Sequence, residues 1–121
     1  MKALFDTNVL IDYFRGCHAA AEELKRYSTR LISVMTTMEL LVGARDRGDE
    51  LQLRGLLASF EEVELSSPVM ERAVMLRRQH RLKLPDAIVY ASAQVEDCPL
   101  VTRNHHDFPP AWPDVRIPYA L

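Results

Sequence analysis

The chain has 121 residues, of which 48% are hydrophobic and 26% charged, and this composition is typical of one soluble domain spanning residues 1–121. Its formal net charge of −2 excludes a generally basic protein that coats nucleic-acid phosphates, but not a local basic rim around an acidic site. No apolar run approaches the roughly 18 residues of a membrane helix, and an aspartate stands too early for a signal peptide. Because two cysteines are too few for a disulfide framework, we expect a reduced, cytoplasmic protein.

Strand and helix patterns alternate along the chain. In chain order we predict strand 2–5, helix 7–14, helix 19–27, strand 31–34, helix 38–45, helix 49–60, strand 63–65, helix 68–81, helix 87–95, strand 99–102 and strand 115–117. Such alternation predicts an α/β fold, in which a parallel sheet carries helices on both faces. Right-handed crossovers follow from strand twist, but the sequence does not fix the order of the strands.

The third predicted helix carries an acid of interest. Thr36 or Thr37 is predicted to cap it, which places Glu39 in its first turns, where the helix dipole favours a carboxylate. The apolar neighbours Leu40–Val42 put Glu39 near the buried side of that helix.

Acidic and amide side chains recur at one end of the predicted strands. Asp6 follows the first strand, Glu39 lies on the helix after the second, Asp86 opens the helix before the fourth, and Asn104 and Asp107 follow the fourth. Since ligands bind at the carboxyl ends of parallel strands, we expect these residues to converge on one cleft. Clustered carboxylates repel one another unless a cation neutralises them, and oxygen ligands suit Mg²⁺ or Mn²⁺.

Each acid also has a simpler explanation. Asp6 can cap the first helix, Glu39 can be a solvent-facing helix residue, Asp86 can be an ordinary helix start, and Asp107 can belong to a turn. None of these explanations accounts for the fact that all four fall on the same predicted edge of the sheet.

Four segments of the chain resemble the motifs of a PIN domain, and more specifically those of the VapC-like toxins of bacterial type II toxin–antitoxin systems. They are Asp6-Thr-Asn8, Met38-Glu-Leu-Leu-Val-Gly43, Leu84-Pro-Asp-Ala-Ile88, and Thr102-Arg-Asn104 with Asp107-Phe108. The resemblance implies a three-layer α/β/α sandwich with a central, mainly parallel sheet of four to five strands. It also implies a Mg²⁺- or Mn²⁺-dependent endoribonuclease that acts on RNA, forms a homodimer, and is inhibited by a cognate VapB-like antitoxin.

The resemblance assigns roles to individual residues. It implies that Asp6, Glu39 and Asp86 bind the metal ion, which activates a water for attack on an RNA phosphodiester, while Asn8 and Thr102 support these acids. Many family members have a fourth acid where this chain has Asn104. Asp107 could take that role or contribute through water, so we include it among the candidate catalytic acids.

Two other classes of protein, aspartyl-phosphate proteins and non-catalytic PIN-like modules, share parts of this pattern. An aspartyl-phosphate phosphatase would need a second acid where Asn8 stands, and a receiver domain would need an acidic pair at the first strand. Asn104 also raises the possibility of a non-catalytic PIN-like module that binds RNA or protein without cutting. His105 and His106 adjoin the acids, but a solvent-exposed loop explains them without a metal.

Overall fold

A sheet of five parallel strands forms the centre of the computed structural model, which describes residues 1–121. The strands are β1 (Lys2–Phe5), β2 (Thr29–Ser33), β3 (Glu61–Val63), β4 (Leu100–Val101) and β5 (Val115–Arg116). Their order is β3-β2-β1-β4-β5, so the first strand of the chain lies in the middle.

Six helices cover the sheet: α1 (Thr7–Phe14), α2 (His18–Lys25), α3 (Val34–Val42), α4 (Arg47–Leu57), α5 (Ser67–His80) and α6 (Leu84–Val95). No helix is both long enough and apolar enough to cross a lipid bilayer.

The two faces of the sheet bury different side chains because successive residues of a strand point in opposite directions. Leu4, Leu31 and Leu100 pack in one buried cluster with residues of α5 and α6. Phe5, Ile32 and Val101 pack in a second cluster with residues of α1, α2 and α4. The predicted α/β/α sandwich with a parallel sheet is therefore confirmed.

The predicted cap of α3 is wrong. The helix begins at Val34, four residues earlier than the pattern indicated, and Ser33 caps it by accepting a hydrogen bond from the Met35 N–H at 3.0 Å. Ser33 is the last residue of β2 and keeps an extended backbone, so its hydroxyl already stands where a cap is needed. As a result Glu39 lies in the second turn of α3 and is exposed, rather than near the buried side.

Two side-chain contacts join the C-terminal segment to the helices, in addition to the pairing of β5 with β4. Arg116 makes a two-pronged ion pair with the buried carboxylate of Glu23 on α2, at 2.6 and 2.9 Å. Three residues further on, the Tyr119 hydroxyl donates to Asp12 of α1 at 2.7 Å. A carboxylate removed from water needs such partners, so each contact satisfies a charge that would otherwise be costly.

We predict that Arg116→Ala lowers the free energy of unfolding by about 2 kcal/mol, because it leaves the buried Glu23 carboxylate without its bidentate partner. Urea denaturation measures the change. Arg54→Ala is the matched control, since it breaks the exposed pair with Glu50 on α4 and should cost less than about 1 kcal/mol. Equal losses in the two variants would contradict this interpretation.

Candidate functional site

The site lies where the strand order reverses. From β1 the chain proceeds to β2 and β3 on one side and only later to β4 and β5 on the other, so a crevice opens between the carboxyl ends of β1 and β4. Asp6 directly follows β1 and Thr102 directly follows β4. The Thr102 hydroxyl donates a hydrogen bond of 2.7 Å to Asp6 Oδ2, which joins the two strand ends across the crevice.

Asp6 is held by donors from two segments. Besides Thr102, the Thr7 N–H donates to Asp6 Oδ1 at 2.8 Å and the Asn8 side-chain amide donates to Oδ2 at 3.2 Å. Asp6 is also the N-cap of α1, so the capping explanation is true of the structure without excluding another role. Burial raises the pKa of Asp6 above its ordinary value, these hydrogen bonds partly offset that effect, and the charge of Glu39 adds to the increase.

Glu39 approaches the site from α3. Its Oε1 accepts a hydrogen bond of 2.8 Å from the Thr7 hydroxyl, which lies 3.1 Å from the hydroxyl of Thr36. Thr7 therefore connects the first turn of α1 with α3, a role that the sequence analysis missed. The available signal was its position between Asp6 and Asn8 in the Asp-Thr-Asn motif.

Asp86 faces the other acids from the first turn of α6. Its pKa is raised to about 6, first by burial and then by the negative charges of Asp6, Asp107 and Glu39, while the charge of Lys83 offsets this only in part. The structure thus brings all four predicted acids within electrostatic range of one another. None of these four acids forms an ion pair with a basic side chain.

Asn104 and Asp107 form a pair. The Asn104 side-chain amide donates to Asp107 Oδ2 at 2.9 Å, and the Asp107 N–H donates back to Asn104 Oδ1 at 3.1 Å. Both ends of the Asn104 amide are therefore occupied in orienting Asp107, whose charge reaches Asp86. This arrangement favours Asp107 over Asn104 as the fourth acid.

Arg103 fixes the loop after β4 against α1, and sequence reasoning did not identify it. Its backbone N–H donates to Asn8 Oδ1 at 3.0 Å, and its guanidinium pairs with both oxygens of Asp12, at 2.7 and 3.0 Å. Burial raises the pKa of Asp12, but the hydrogen bonds from Arg103 and Tyr119 and the charge of Arg103 outweigh burial and leave it lowered. One signal was available, since Asp12 lies one helical turn after Asn8 on α1.

The four acids are the candidate ligands for a divalent cation. In the present side-chain positions no three acidic, histidine or cysteine side chains lie close enough together to hold a metal ion. The donor set nevertheless fits a hard cation, since it consists of carboxylate oxygens, and burial together with the charges of the other acids raises the pKa of Asp86. His105 and His106 are exposed in the loop after β4. A cation would therefore require the carboxylates to close around it.

Sequence comparisons place the chain among known proteins. The PIN domain family model matches residues 3–109. Ribonuclease VapC10 of Mycobacterium tuberculosis is 33% identical over 126 aligned positions, covering 98% of this chain and 93% of that protein. Ribonuclease VapC1 of Methanocaldococcus jannaschii is 29% identical, covering 88% of this chain and 79% of the other.

Comparison of folds agrees with this grouping. A toxin–antitoxin complex from Klebsiella pneumoniae contains a chain that matches with a TM-score of 0.92 and 42% identity, covering 98% of this chain and 99% of that one. A DNA-bound VapBC from Salmonella typhimurium has the same fold, with a TM-score of 0.79 at 21% identity. This chain belongs to the PIN-domain family, in the group that includes the VapC ribonucleases.

Proposed function

We propose that this chain is a divalent-metal-dependent endoribonuclease that hydrolyses RNA phosphodiester bonds, and that it is the toxin of a type II, VapBC-like toxin–antitoxin pair. Relatives named as ribonucleases support the activity. The Klebsiella complex, similar over nearly the whole chain, supports an antitoxin as the protein partner. Mg²⁺ or Mn²⁺ is the proposed cofactor, because both prefer carboxylate ligands.

The observation that carries the proposal is the convergence of Asp6, Glu39, Asp86 and Asp107 at the crevice between β1 and β4. Negative charge concentrated in a partly buried site is unfavourable for the fold alone, and here burial, followed by the charges of the other acids, raises the pKa of Asp86 to about 6. A perturbed carboxylate in a crevice is a common sign of a functional site. Binding of a divalent cation by these carboxylates would offset their repulsion and explain why they lie together.

Asp6, Glu39 and Asp86 are the residues that we propose hold the cation. When bound there, the cation would lower the pKa of a water and stabilise negative charge on the phosphate. The chain's contribution is to hold these carboxylates at the crevice, within reach of a cation around which they would close. Thr102 and the Thr7 N–H orient Asp6, and the Thr7 hydroxyl holds Glu39 toward the crevice.

Asp107 is the fourth acid in this proposal. Asn104 orients it through two hydrogen bonds and itself brings no charge to the site. Asn8 has an equally indirect part, because it donates to Asp6 while accepting from the Arg103 N–H. These contacts set the spacing between the two strand ends on which the acids are carried.

We predict that Asp6→Asn lowers the rate of RNA cleavage in Mg²⁺ or Mn²⁺ at least about a hundredfold, since the amide removes a charged ligand from the cation. Cleavage of a mixed single-stranded RNA measures the rate. Asp97→Asn is the matched control, because Asp97 is exposed and has a positive φ that asparagine also tolerates. Equal cleavage by wild type and Asp6→Asn would contradict the catalytic assignment of Asp6, and no cleavage by the wild type would favour the non-catalytic binding module.

A second prediction concerns stability without metal. The pKa of Asp86 in the folded protein, about 6, exceeds the ordinary value of 3.8, so the folded state binds this proton more tightly than the unfolded state. The resulting stability is fully present below pH 3.8 and is lost as the pH rises through 6. In EDTA at pH 8 we therefore expect Asp86→Asn to melt about 4 °C above wild type. A lower melting temperature for the variant would contradict the repulsion that we describe.

The same pKa predicts how cation binding depends on pH. The proton and the cation compete for Asp86, so Mn²⁺ should raise the melting temperature of the wild type more at pH 7.5 than at pH 5. In Asp86→Asn the Mn²⁺ effect should be small at both values. An effect of equal size in wild type and variant would place the cation elsewhere.

In cells, we expect expression of the chain to arrest growth and Asp86→Asn to relieve the arrest. Co-expression of a cognate antitoxin should also restore growth of cells that carry the wild type. Growth curves and colony counts measure both effects, with immunoblots to match protein levels. Toxicity that is unchanged by Asp86→Asn would count against a nuclease as its cause.

A further inference from the structure

A row of four aromatic rings runs from the core to the surface beside the acidic site. Phe108 is fully buried and packs edge to face on Tyr90, with ring centroids 5.7 Å apart. Trp112 stacks parallel to Tyr90 at 5.3 Å, and the ring of His80 lies 4.5 Å from Trp112. Exposure increases along the row, since Tyr90 is buried, Trp112 is half-buried and His80 is exposed.

The aromatic row adjoins the proposed cation ligands. Phe108 directly follows Asp107, and Tyr90 lies one turn after Asp86 on α6, about 6 Å along the helix axis. His80 is the last residue of α5, and a connection of only three residues, 81–83, separates it from the start of α6. His80 at the outer end of the row and Asp86 at the acidic site therefore lie on either side of the short connection between α5 and α6.

Four cations, Arg77, Arg78, Arg81 and Lys83, lie in the segment that we call the α5–α6 corner (residues 77–83), which includes His80 at the outer end of the row. Arg77, Arg81 and Lys83 are exposed, and none of them belongs to any of the ion pairs in the structure. Arg77 lies one helical turn before Arg81, whose N–H bonds to the Arg77 carbonyl. Lys83 is near enough to Asp86 for its charge to lower the pKa of that carboxyl, although it makes no ion pair with it.

Unpaired cations beside an exposed ring have the chemistry that single-stranded nucleic acid requires. Cations neutralise phosphates, and aromatic faces stack with unpaired bases. The chain has a net charge of −2 and an acidic cleft, so attraction for RNA has to come from a local surface of this kind.

We propose that the α5–α6 corner and the His80–Trp112 pair form a subsite for single-stranded RNA next to the cleaved phosphate. In this subsite one base stacks on the outer face of the row, and Arg77, Arg81 and Lys83 contact the adjoining phosphates. The inference rests on the proposed function and deepens it, since it says where on this chain the strand lies. Stacking and phosphate contacts carry little sequence information, so the subsite binds unpaired RNA with little base preference.

The first test measures RNA binding without cleavage. Trp112 is the only tryptophan of the chain, so its emission reports directly on the subsite. Wild-type protein in EDTA is titrated with a mixed-sequence single-stranded RNA and, separately, with inorganic polyphosphate, which has charge but no bases. We expect RNA to quench Trp112 and polyphosphate to compete for binding without quenching it. Equal quenching by both would overturn the stacking contact.

Charge variants test the phosphate contacts. Arg77→Gln/Lys83→Gln should weaken RNA binding about tenfold and reduce the salt dependence, log K against log salt concentration, by about 1.4. Lys2→Gln/Arg47→Gln is the matched control, because both residues are exposed and unpaired and the change in net charge is the same. The same loss of RNA affinity in the control would mean that the corner contributes only through the total charge of the protein, and it would overturn the proposal.

Ring variants at the exposed end test stacking. His80→Ala should weaken RNA binding about fivefold, and His80→Phe, which keeps a ring, should restore it. Wild-type RNA affinity in His80→Ala would overturn the subsite. Sedimentation that shows a changed oligomeric state as the cause of the lost binding would also overturn it. RNA cleavage in Mg²⁺ by the wild type is measured in parallel. If the wild type cleaves RNA and the variants bind RNA as tightly as it does, only the subsite is contradicted. If the wild type binds RNA through the corner but does not cleave it, only the nuclease assignment is contradicted.

Discussion

A carboxylate buried at the reversal point of the sheet is the constraint on which the rest of the site depends. Asp6 is only 6% exposed, and an anion in that position is costly unless donors surround it. The donors come from the first turn of α1 and from Thr102 after β4, whose sequence separation from Asp6 is 96 residues. Satisfying this one charge therefore fixes the start of α1 against the far end of the chain, and the other acids are arranged around that junction.

The polar contacts away from the crevice extend the same junction. Arg103 connects the loop after β4 with Asn8 and Asp12, and Tyr119 adds the C-terminal segment to the same carboxylate. In this region every buried charge has a partner of opposite charge. At the crevice the balance is reversed, because Asp86 is surrounded by acids and its pKa is raised. The contrast indicates that the negative charge gathered around Asp86 is not needed for folding, and this is why we propose a functional role for it.

Much of the fold could be read from local patterns, and the exceptions have physical reasons. β1 and α1 were predicted with their observed bounds, since each depends on a few adjacent residues. The predicted start of α3 was too late because Thr36 and Thr37 are good capping residues when considered locally. The backbone that makes Ser33 the cap instead is set by its pairing in β2 with β3.

The parts of the site that sequence could not supply depend on distant residues. Asp12 and Arg103 are 91 residues apart, and Glu23 and Arg116 are 93 apart, so no local pattern relates them. The roles of Asn104 and Asp107 were left open for a related reason. Their spacing permits either side chain to take the fourth position of the site. The two hydrogen bonds between them indicate that the Asn104 amide orients the Asp107 carboxylate.

The central claim is that the crevice between β1 and β4 binds a divalent cation through the carboxylates of Asp6, Glu39 and Asp86. A crystal structure of the protein grown with Mn²⁺, with anomalous diffraction data, tests it most directly. The account predicts an anomalous peak at the crevice, within about 2.3 Å of carboxylate oxygens from Asp6 and Asp86. Mn²⁺ bound only at other positions, or no peak at millimolar Mn²⁺ and pH 7.5, would contradict it.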